Sequence, residues 1–195
     1  MQEIKRRARQ YAVAPALALG RIGFTPNALT IVGSALTASV GLLAAQGWFI
    51  AAGVCLWLFA ITDTLDGALA RATNRVSTFG AFLDSVCDRY AEAGVFLGVL
   101  WYYTWTANPL GVLLAYLALI GSLMVSYARA RAEGVGLQAA EVGWFQRPER
   151  IIALGIGFLL AAVIPAALLA VLALLTILTT LTVIQRVLHV ARTAR

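Results

Sequence analysis

Long apolar runs separated by short polar or charged segments dominate the chain from residue 25 onward. A helix that crosses a bilayer needs about 20 apolar residues, and the runs predict six such helices. Their approximate ranges are 25–46, 48–71, 79–104, 109–131, 149–163 and 165–189. Thr25 and Pro26 are typical of a helix start, as the N-cap and the first helical residue of the first span.

The first residues show a different pattern, in which apolar positions recur at helical spacing on one face. This face consists of Ile4, Ala8, Tyr11, Pro15 and Leu19. Basic side chains occupy the other faces, so the pattern predicts an amphipathic helix that lies in the membrane interface. The predicted fold is an all-α integral membrane protein with an amphipathic juxtamembrane segment over 1–23 and a six-helix transmembrane domain over 24–195.

Composition and charge agree with a membrane protein. Of the 195 residues 61% are hydrophobic and 12% are charged, against roughly 45–50% and about 25% in soluble domains. The net charge of +6 comes from short basic segments between apolar runs, which indicates lipid headgroups and not nucleic acid as the partner. Turns near Gly47, Asn108 and Pro165 carry no charge. The positive-inside rule therefore predicts both termini on the cytoplasmic side of the cell membrane.

Four aspartates form the most informative polar feature of the chain. Asp63 and Asp66 are three residues apart near the end of the second predicted span. Asp84 and Asp88 are four residues apart near the start of the third. Each spacing places its pair on one helix face. A short turn around Asn74 is predicted to fold the two faces together.

Carboxylates gathered at a bilayer need compensating cations, since each charge there costs at least about 2.5 kcal/mol on insertion scales. Oxygen ligands without His or Cys select hard ions, so the set predicts Mg²⁺, with Mn²⁺ as the alternative. Two ions about 4 Å apart would hold the attacking and leaving oxygens of a phosphoryl transfer. Salt bridges to Arg71, Arg75 and Arg89 are the structural alternative. Glu92 is predicted to form such a structural pair.

Small residues accompany the acids. Gly67, Ala70 and Gly80 leave room for a nucleotide or a phosphate beside the helix backbones. Arg71 offers a planar guanidinium to phosphate oxygens. Helix packing through small residues is the alternative interpretation of Gly67 and Ala70.

Together these positions read D-x2-D-G-x2-A-R-x8-G-x3-D-x3-D from Asp63 to Asp88. This pattern resembles the signature of the CDP-alcohol phosphotransferase family at every position, and the resemblance extends over effectively the whole chain. It implies that Asp63 and Asp84 bridge two divalent ions, that Asp66 completes one metal site, and that Asp88 serves the other and acts as general base. It also implies that a phosphatidyl group is transferred, that CMP leaves, and that the protein is a homodimer.

The resemblance further implies contacts to the donor, CDP-diacylglycerol. The predicted contacts are Asn27, Ala28, Leu29, Gly67, Arg71 and Ser77. The first three follow from chemistry as well, because a helix N-terminus presents free N–H groups to a pyrophosphate. Helix capping alone is the alternative role for Thr25, Pro26 and Ser77.

Five arginines in later segments are predicted to bind the phosphate of an acceptor. They are Arg129, Arg131, Arg147, Arg150 and Arg186. A solvated basic loop is the alternative. These segments resemble those of phosphatidylinositol phosphate synthases within the family, which implies inositol phosphate as acceptor. Glycerol 3-phosphate, as in phosphatidylglycerophosphate synthases, is the second candidate.

A divalent-cation transporter is the alternative from another functional class, because acids inside membranes commonly line ion pathways. The aspartates cluster at one end of the predicted spans, and the outer halves offer no ionisable residues to continue a path. This distribution favours an enzyme. A non-catalytic scaffold would leave the eight-position pattern unexplained.

Overall fold

The computed structural model describes residues 13–137 and 142–193, except for the side chain of Asp63. Within these ranges the chain is helical and contains no strand. Residues 13–21 form the described part of α1. Most of the predicted amphipathic face, including Ile4, Ala8 and Tyr11, lies outside the described residues.

Seven further helices follow along the described chain. They are α2 (Pro26–Ala45), α3 (Phe49–Ala60), α4 (Thr62–Ala72), α5 (Thr78–Trp105), α6 (Pro109–Gly134), α7 (Arg147–Ala161) and α8 (Ala167–Thr193). All of the predicted spans lie on these helices with ends shifted by a few residues. The second span is divided at Ile61, whose own dihedral angles, φ −68° and ψ −29°, remain helical.

In the described residues, four stretches are long and apolar enough to cross a membrane. They are Pro26–Ala45, Phe49–Ala72, Pro109–Gly134 and Ala167–Thr193. The helix α5 carries Asp84, Asp88, Arg89 and Glu92 between its start and its middle, and α7 has only 15 residues. A crossing by these two helices stays a prediction.

Local capping explains where the helices begin. The hydroxyl of Thr25 accepts the N–H of Ala28 at 3.2 Å, and Pro26 is the first residue of α2. Both predictions for this helix start are therefore confirmed. The same arrangement recurs at α6, where the side chain of Asn108 accepts the N–H of Gly111 at 2.9 Å.

The chain forms two compact units. The first consists of the described residues up to Val40 together with Cys55–Val95. A Cβ placed on Gly94 of α5 would lie 2.8 Å from the Cβ of Ala38, so α2 and α5 approach closely there. The aspartates and the predicted donor contacts all belong to this unit.

The second unit consists of Gly41–Val54 and the described residues from Phe96 onward. Its core contains Leu168, Leu172 and Leu175, which are spaced three or four residues apart on α8 and are fully buried. Thr179 continues this face and packs against Gly121 of α6. All of the predicted acceptor arginines belong to this unit.

Candidate active site

A tight turn connects α4 to α5 and sets the geometry of the first unit. Asn74 adopts the left-handed conformation with φ of 53°, which Asn tolerates better than most residues. The N–H of Arg75 donates to the carbonyl of Ala70 at 2.8 Å, which closes the end of α4. The predicted turn around Asn74 is therefore confirmed.

A cavity of about 250 Å³ opens where the start of α2, the helix α4 and the start of α5 meet. Its lining consists of Pro26, Asn27, Thr30, Asp66, Gly67, Ala70, Arg71, Arg75, Val76, Ser77, Gly80, Ala81 and Asp84. Two of the predicted metal ligands and four of the predicted donor contacts thus face one cavity. A carboxylate pair beside an arginine is suited to a metal-bound phosphate group.

Asp66 is held rigidly at this cavity. It is 7% exposed, and one of its oxygens accepts the hydroxyl proton of Thr30 at 2.5 Å. The other accepts the N–H of Gly67. Thr30 was not predicted to have a role, although its place one turn after Pro26 in the TPNALT stretch was a usable signal. Hydrogen bonds of this kind orient a metal-ligating carboxylate.

Asp88 lies one turn after Asp84 on α5 and is 7% exposed. One Nη of Arg89 approaches its carboxylate at 3.5 Å and donates to the carbonyl of Ser85 at 2.6 Å. The longer distance makes the contact to Asp88 the weaker of the two. The predicted pairing of Glu92 stays a prediction.

A metal site is compatible with these residues by donor chemistry. Asp66 and Asp84 present only carboxylate oxygens to the cavity, and such oxygens bind hard divalent ions. Among the described side chains, no group of three or more His, Cys, Asp or Glu is placed to hold one ion. The side chain of Asp63, the fourth predicted ligand, is not among those described.

Glycines keep the cavity open on its phosphate-binding side. A Cβ on Gly80 would lie 3.1 Å from the hydroxyl oxygen of Ser77 and 3.4 Å from the side-chain oxygen of Asn27. A Cβ on Gly67 would lie 3.3 Å from the guanidinium of Arg71. The polar groups predicted to contact CDP therefore converge on two positions that lack a side chain.

The expected free N–H groups are not found at Ala28 and Leu29. Ala28 donates to the hydroxyl of Thr25, and Leu29 donates to the Thr25 carbonyl at 3.0 Å. The side chain of Leu29 packs with Ala68 in the core, and neither residue lines the cavity. Thr25 therefore accepts both N–H groups in this structure, and contacts of Ala28 and Leu29 with the donor stay predictions.

Ser77 has a structural role in addition to its place in the cavity. Its hydroxyl accepts the N–H of Gly80 at 3.0 Å and so caps α5. A contact of Ser77 with CDP stays a prediction.

Substituting Gly80 with Ala should raise the KM for CDP-diacylglycerol by about tenfold, because the new methyl group displaces Ser77 or Asn27. Gly134→Ala is the matched control, since nothing lies within 4 Å of its Cβ position. Steady-state kinetics with varied donor measures the effect. Equal KM values for the two variants would contradict the assignment of this cavity to the donor.

Substituting Thr30 with Val should raise the metal concentration needed for half-maximal activity by about 10–100-fold, as expected for loss of an outer partner. Thr30→Ser keeps the hydroxyl that Asp66 accepts and should retain most of the wild-type metal response. Titration of activity with Mn²⁺ and with Mg²⁺ compares the variants. A Val variant that responds like the Ser variant would rule out this role of Thr30.

The predicted acceptor arginines occupy different environments in the second unit. Arg150 and Arg186 are each 2% exposed. The charges of Arg129 and Arg150 act on the guanidinium of Arg186, so these three lie near one another. Arg129 also pairs with Glu133 at 2.9 Å. Arg131 is exposed and lines a groove between α6 and α8.

Arg186 makes contacts that the sequence did not indicate. Its Nε donates to the carbonyl of Val142 at 2.8 Å, and one Nη donates to the carbonyl of Val125. A guanidinium has five N–H donors, and these bonds use two of them. Arg147 is half-buried at the first turn of α7, and its contact with a phosphate stays a prediction.

The model of one protein family, described as CDP-alcohol phosphatidyltransferase, matches residues 24–191. The chain belongs to this family. It is therefore an enzyme of the CDP-alcohol phosphatidyltransferase type and an integral membrane protein. The family match includes the aspartates and the cavity described above, as well as the arginines of the second unit.

Two similar proteins are named as synthases of inositol phosphate lipids. The chain is 42% identical over 149 residues to a phosphatidylinositol phosphate synthase of Mycobacteroides abscessus, covering 75% of this chain and 67% of that protein. It is 44% identical over 153 residues to an archaetidylinositol phosphate synthase of Pyrococcus horikoshii, covering 74% of each.

Solved structures agree with this relationship. The crystal structure of the phosphatidylinositol phosphate synthase of Mycobacterium tuberculosis with CDP-DAG bound matches with a TM-score of 0.86 at 34% identity, covering 93% of this chain and 94% of that chain. Another structure of that synthase, in complex with manganese and citrate, has the same score and identity and covers 92% and 88%.

Proposed function

We propose that this protein transfers the phosphatidyl group of CDP-diacylglycerol to the hydroxyl of inositol phosphate and releases CMP. The observation that carries the proposal is the cavity of the first unit, where Asp66 and Asp84 lie beside Arg71 and the polar groups of Asn27 and Ser77. It combines oxygen ligands for a divalent ion with recognition of phosphate. The relatives named as phosphatidylinositol phosphate synthases support the choice of acceptor.

The carboxylates are assigned to two divalent ions, Mg²⁺ or Mn²⁺, held by Asp63, Asp66, Asp84 and Asp88. Bound metal would neutralise negative charge on the pyrophosphate and on the leaving CMP. Thr30 keeps the Asp66 carboxylate oriented toward the cavity. Arg71 binds phosphate oxygens of CDP, where Gly67 leaves space for them.

Asp88 is assigned as the general base. The acceptor oxygen forms a bond to the lipid-bearing phosphorus, the bond from that phosphorus to CMP breaks, and the hydroxyl proton passes to the Asp88 carboxylate. A general base must reach the proton that it removes. The products are phosphatidylinositol phosphate and CMP.

The acceptor phosphate is assigned to Arg129, Arg150 and Arg186, whose charges interact within the second unit. Glu133 offsets part of this positive charge. The positive charge that remains favours an anionic ligand, which would relieve the repulsion between the guanidinium groups. Contacts from Arg131 and Arg147 stay predictions. Glycerol 3-phosphate would use the same charges and is the second candidate acceptor.

The topology is assigned from the sequence pattern. Six spans follow an interfacial segment over 1–23, and the transmembrane domain extends over 24–195. Both termini and the site face the cytoplasm, by the distribution of Lys and Arg. The protein is proposed to act as a homodimer.

Purified full-length protein in detergent tests the reaction. With CDP-diacylglycerol, inositol phosphate and Mg²⁺ it should release CMP and form phosphatidylinositol phosphate in equal amounts, detected by mass spectrometry. A chelator should abolish both products, and added Mg²⁺ or Mn²⁺ should restore them. Metal uptake into proteoliposomes in the absence of CDP-lipid would instead support a cation transporter.

A further inference from the structure

We propose that Thr182 and Gln185 on α8 are positioning residues for acceptor binding. They hold the loop segment 142–146 against α8 and thereby set the place of Arg150 at the start of α7. The inference rests on the proposed function, in which Arg150 binds the acceptor phosphate.

Two side chains of α8 accept backbone N–H groups of this segment. The side-chain oxygen of Gln185 accepts the N–H of Trp144, and the hydroxyl of Thr182 accepts the N–H of Phe145, both at 3.3 Å. The partners are 41 and 37 residues apart along the chain, so these bonds are tertiary contacts and not part of a local turn.

The segment also packs directly on α8. Gly143 has a φ of +106°, and a Cβ at this position would lie 2.5 Å from the Cγ2 of Thr182. Glycine is required by both the conformation and the space. One turn further along α8, the Nε of Arg186 donates to the carbonyl of Val142 at 2.8 Å.

The segment continues into α7 without a spacer. Gln146 is the N-cap of α7, and its N–H donates to the side chain of Glu149 at 3.1 Å in a capping box. The N–H of Arg150 donates to the carbonyl of Gln146 at 3.2 Å. Arg150 therefore lies one helical turn from the segment, and a displacement of the segment displaces Arg150.

The hydroxyl of Thr182 is suited to this role because it makes two hydrogen bonds at once. It donates to the carbonyl of Leu178 at 2.8 Å while it accepts from Phe145. A hydroxyl offers one donor and two acceptor sites. Valine has nearly the same shape but accepts nothing, so it would leave the N–H of Phe145 without this partner.

Matched substitutions in the full-length enzyme separate the effect of losing a hydrogen bond from the effect of changing the side-chain shape. Thr182→Val and Gln185→Leu remove the acceptors, whereas Thr182→Ser and Gln185→Glu keep them. Thr180→Val is the control on the same helix, since the hydroxyl of exposed Thr180 donates to the carbonyl of Thr176 in its own helix. Hydrogen exchange of a peptide spanning 142–146 and steady-state kinetics with each substrate are measured for every variant.

Thr182→Val and Gln185→Leu should accelerate exchange of the segment. They should also raise the KM for inositol phosphate by about tenfold, as expected for loss of a hydrogen bond, with kcat and the KM for CDP-diacylglycerol little changed. Thr182→Ser and Gln185→Glu should keep both the exchange rate and the KM for inositol phosphate close to wild type. Thr180→Val should match wild type in both.

Unchanged exchange in Thr182→Val and Gln185→Leu would overturn the contact itself. Faster exchange with an unchanged KM for inositol phosphate, or a similar rise in KM for both substrates, would overturn the positioning role. Because Gln185 is only half-buried, its variants keep the test valid where Thr182→Val fails to fold. A wild-type enzyme that releases no CMP with inositol phosphate would refute the proposed function and this role together, and the exchange data would then report on the contact alone.

Discussion

Replacing Asp88 with Asn should reduce CMP release by about 10²–10⁴-fold, the range typical of loss of a general base. The amide has nearly the same shape as the carboxylate, so the fold of α5 should persist. It cannot take the proton of the acceptor hydroxyl. Saturating Mg²⁺ should not restore the rate, because the missing function is proton transfer as well as ligation.

Glu92→Gln is the control for this substitution, since Glu92 is a half-buried acid one turn further along the same helix. It should retain most of the activity. Single-turnover measurement of CMP release at several metal concentrations distinguishes the outcomes. Full activity of Asp88→Asn at high metal concentration would show that Asp88 is a metal ligand and not the general base. Full activity at low metal concentration would show that Asp88 has neither role.

Replacing Arg150 with Gln should raise the KM for inositol phosphate by about 10–100-fold, since hydrogen bonds to charged groups contribute about 1.5–3 kcal/mol. The KM for CDP-diacylglycerol should change little, because the predicted donor contacts lie in the first unit. Arg150→Lys should recover only part of the affinity, since an ammonium lacks the planar fork of a guanidinium. Initial rates with each substrate varied in turn measure the two constants.

Arg192→Gln provides the control, because Arg192 is exposed in the last turn of α8. Since Arg150 is 2% exposed, its variants also need a check of folding, for which gel filtration and thermal unfolding in detergent suffice. A folded Arg150→Gln enzyme with an unchanged KM for inositol phosphate would contradict its role. A parallel rise in both KM values would point to general damage instead.

The positions of the helices and of the aspartate pairs were predictable because they follow from local rules. Apolar runs set the helix lengths, Thr25 and Pro26 mark a helix start, and the spacing of the acids fixes a shared face. The turn at Asn74 was likewise indicated by a residue type that tolerates the left-handed conformation. Each of these signals is contained within a few neighbouring residues.

The remaining features depend on contacts between residues far apart in the chain. Thr30 donates a hydrogen bond to Asp66, which is 36 residues away in the chain, and no periodicity in the sequence predicts that bond. The N–H groups of Ala28 and Leu29 were expected to be free, but the first donates to the Thr25 hydroxyl, whose position depends on its rotamer, and the second donates to the Thr25 carbonyl. The contacts of Arg186 with Val125 and Val142 depend on how α6 and the segment before α7 pack against α8.

A competition assay tests the central claim most directly. One preparation of wild-type enzyme receives CDP-diacylglycerol and Mg²⁺ with equal concentrations of inositol phosphate, glycerol 3-phosphate and free inositol, and mass spectrometry identifies the lipid products. The structure and the family relationship predict phosphatidylinositol phosphate as the dominant product. Free inositol should scarcely be used, because it lacks the phosphate that the arginines are proposed to bind. Dominant phosphatidylglycerophosphate, or phosphatidylinositol formed from free inositol, would contradict the assigned acceptor.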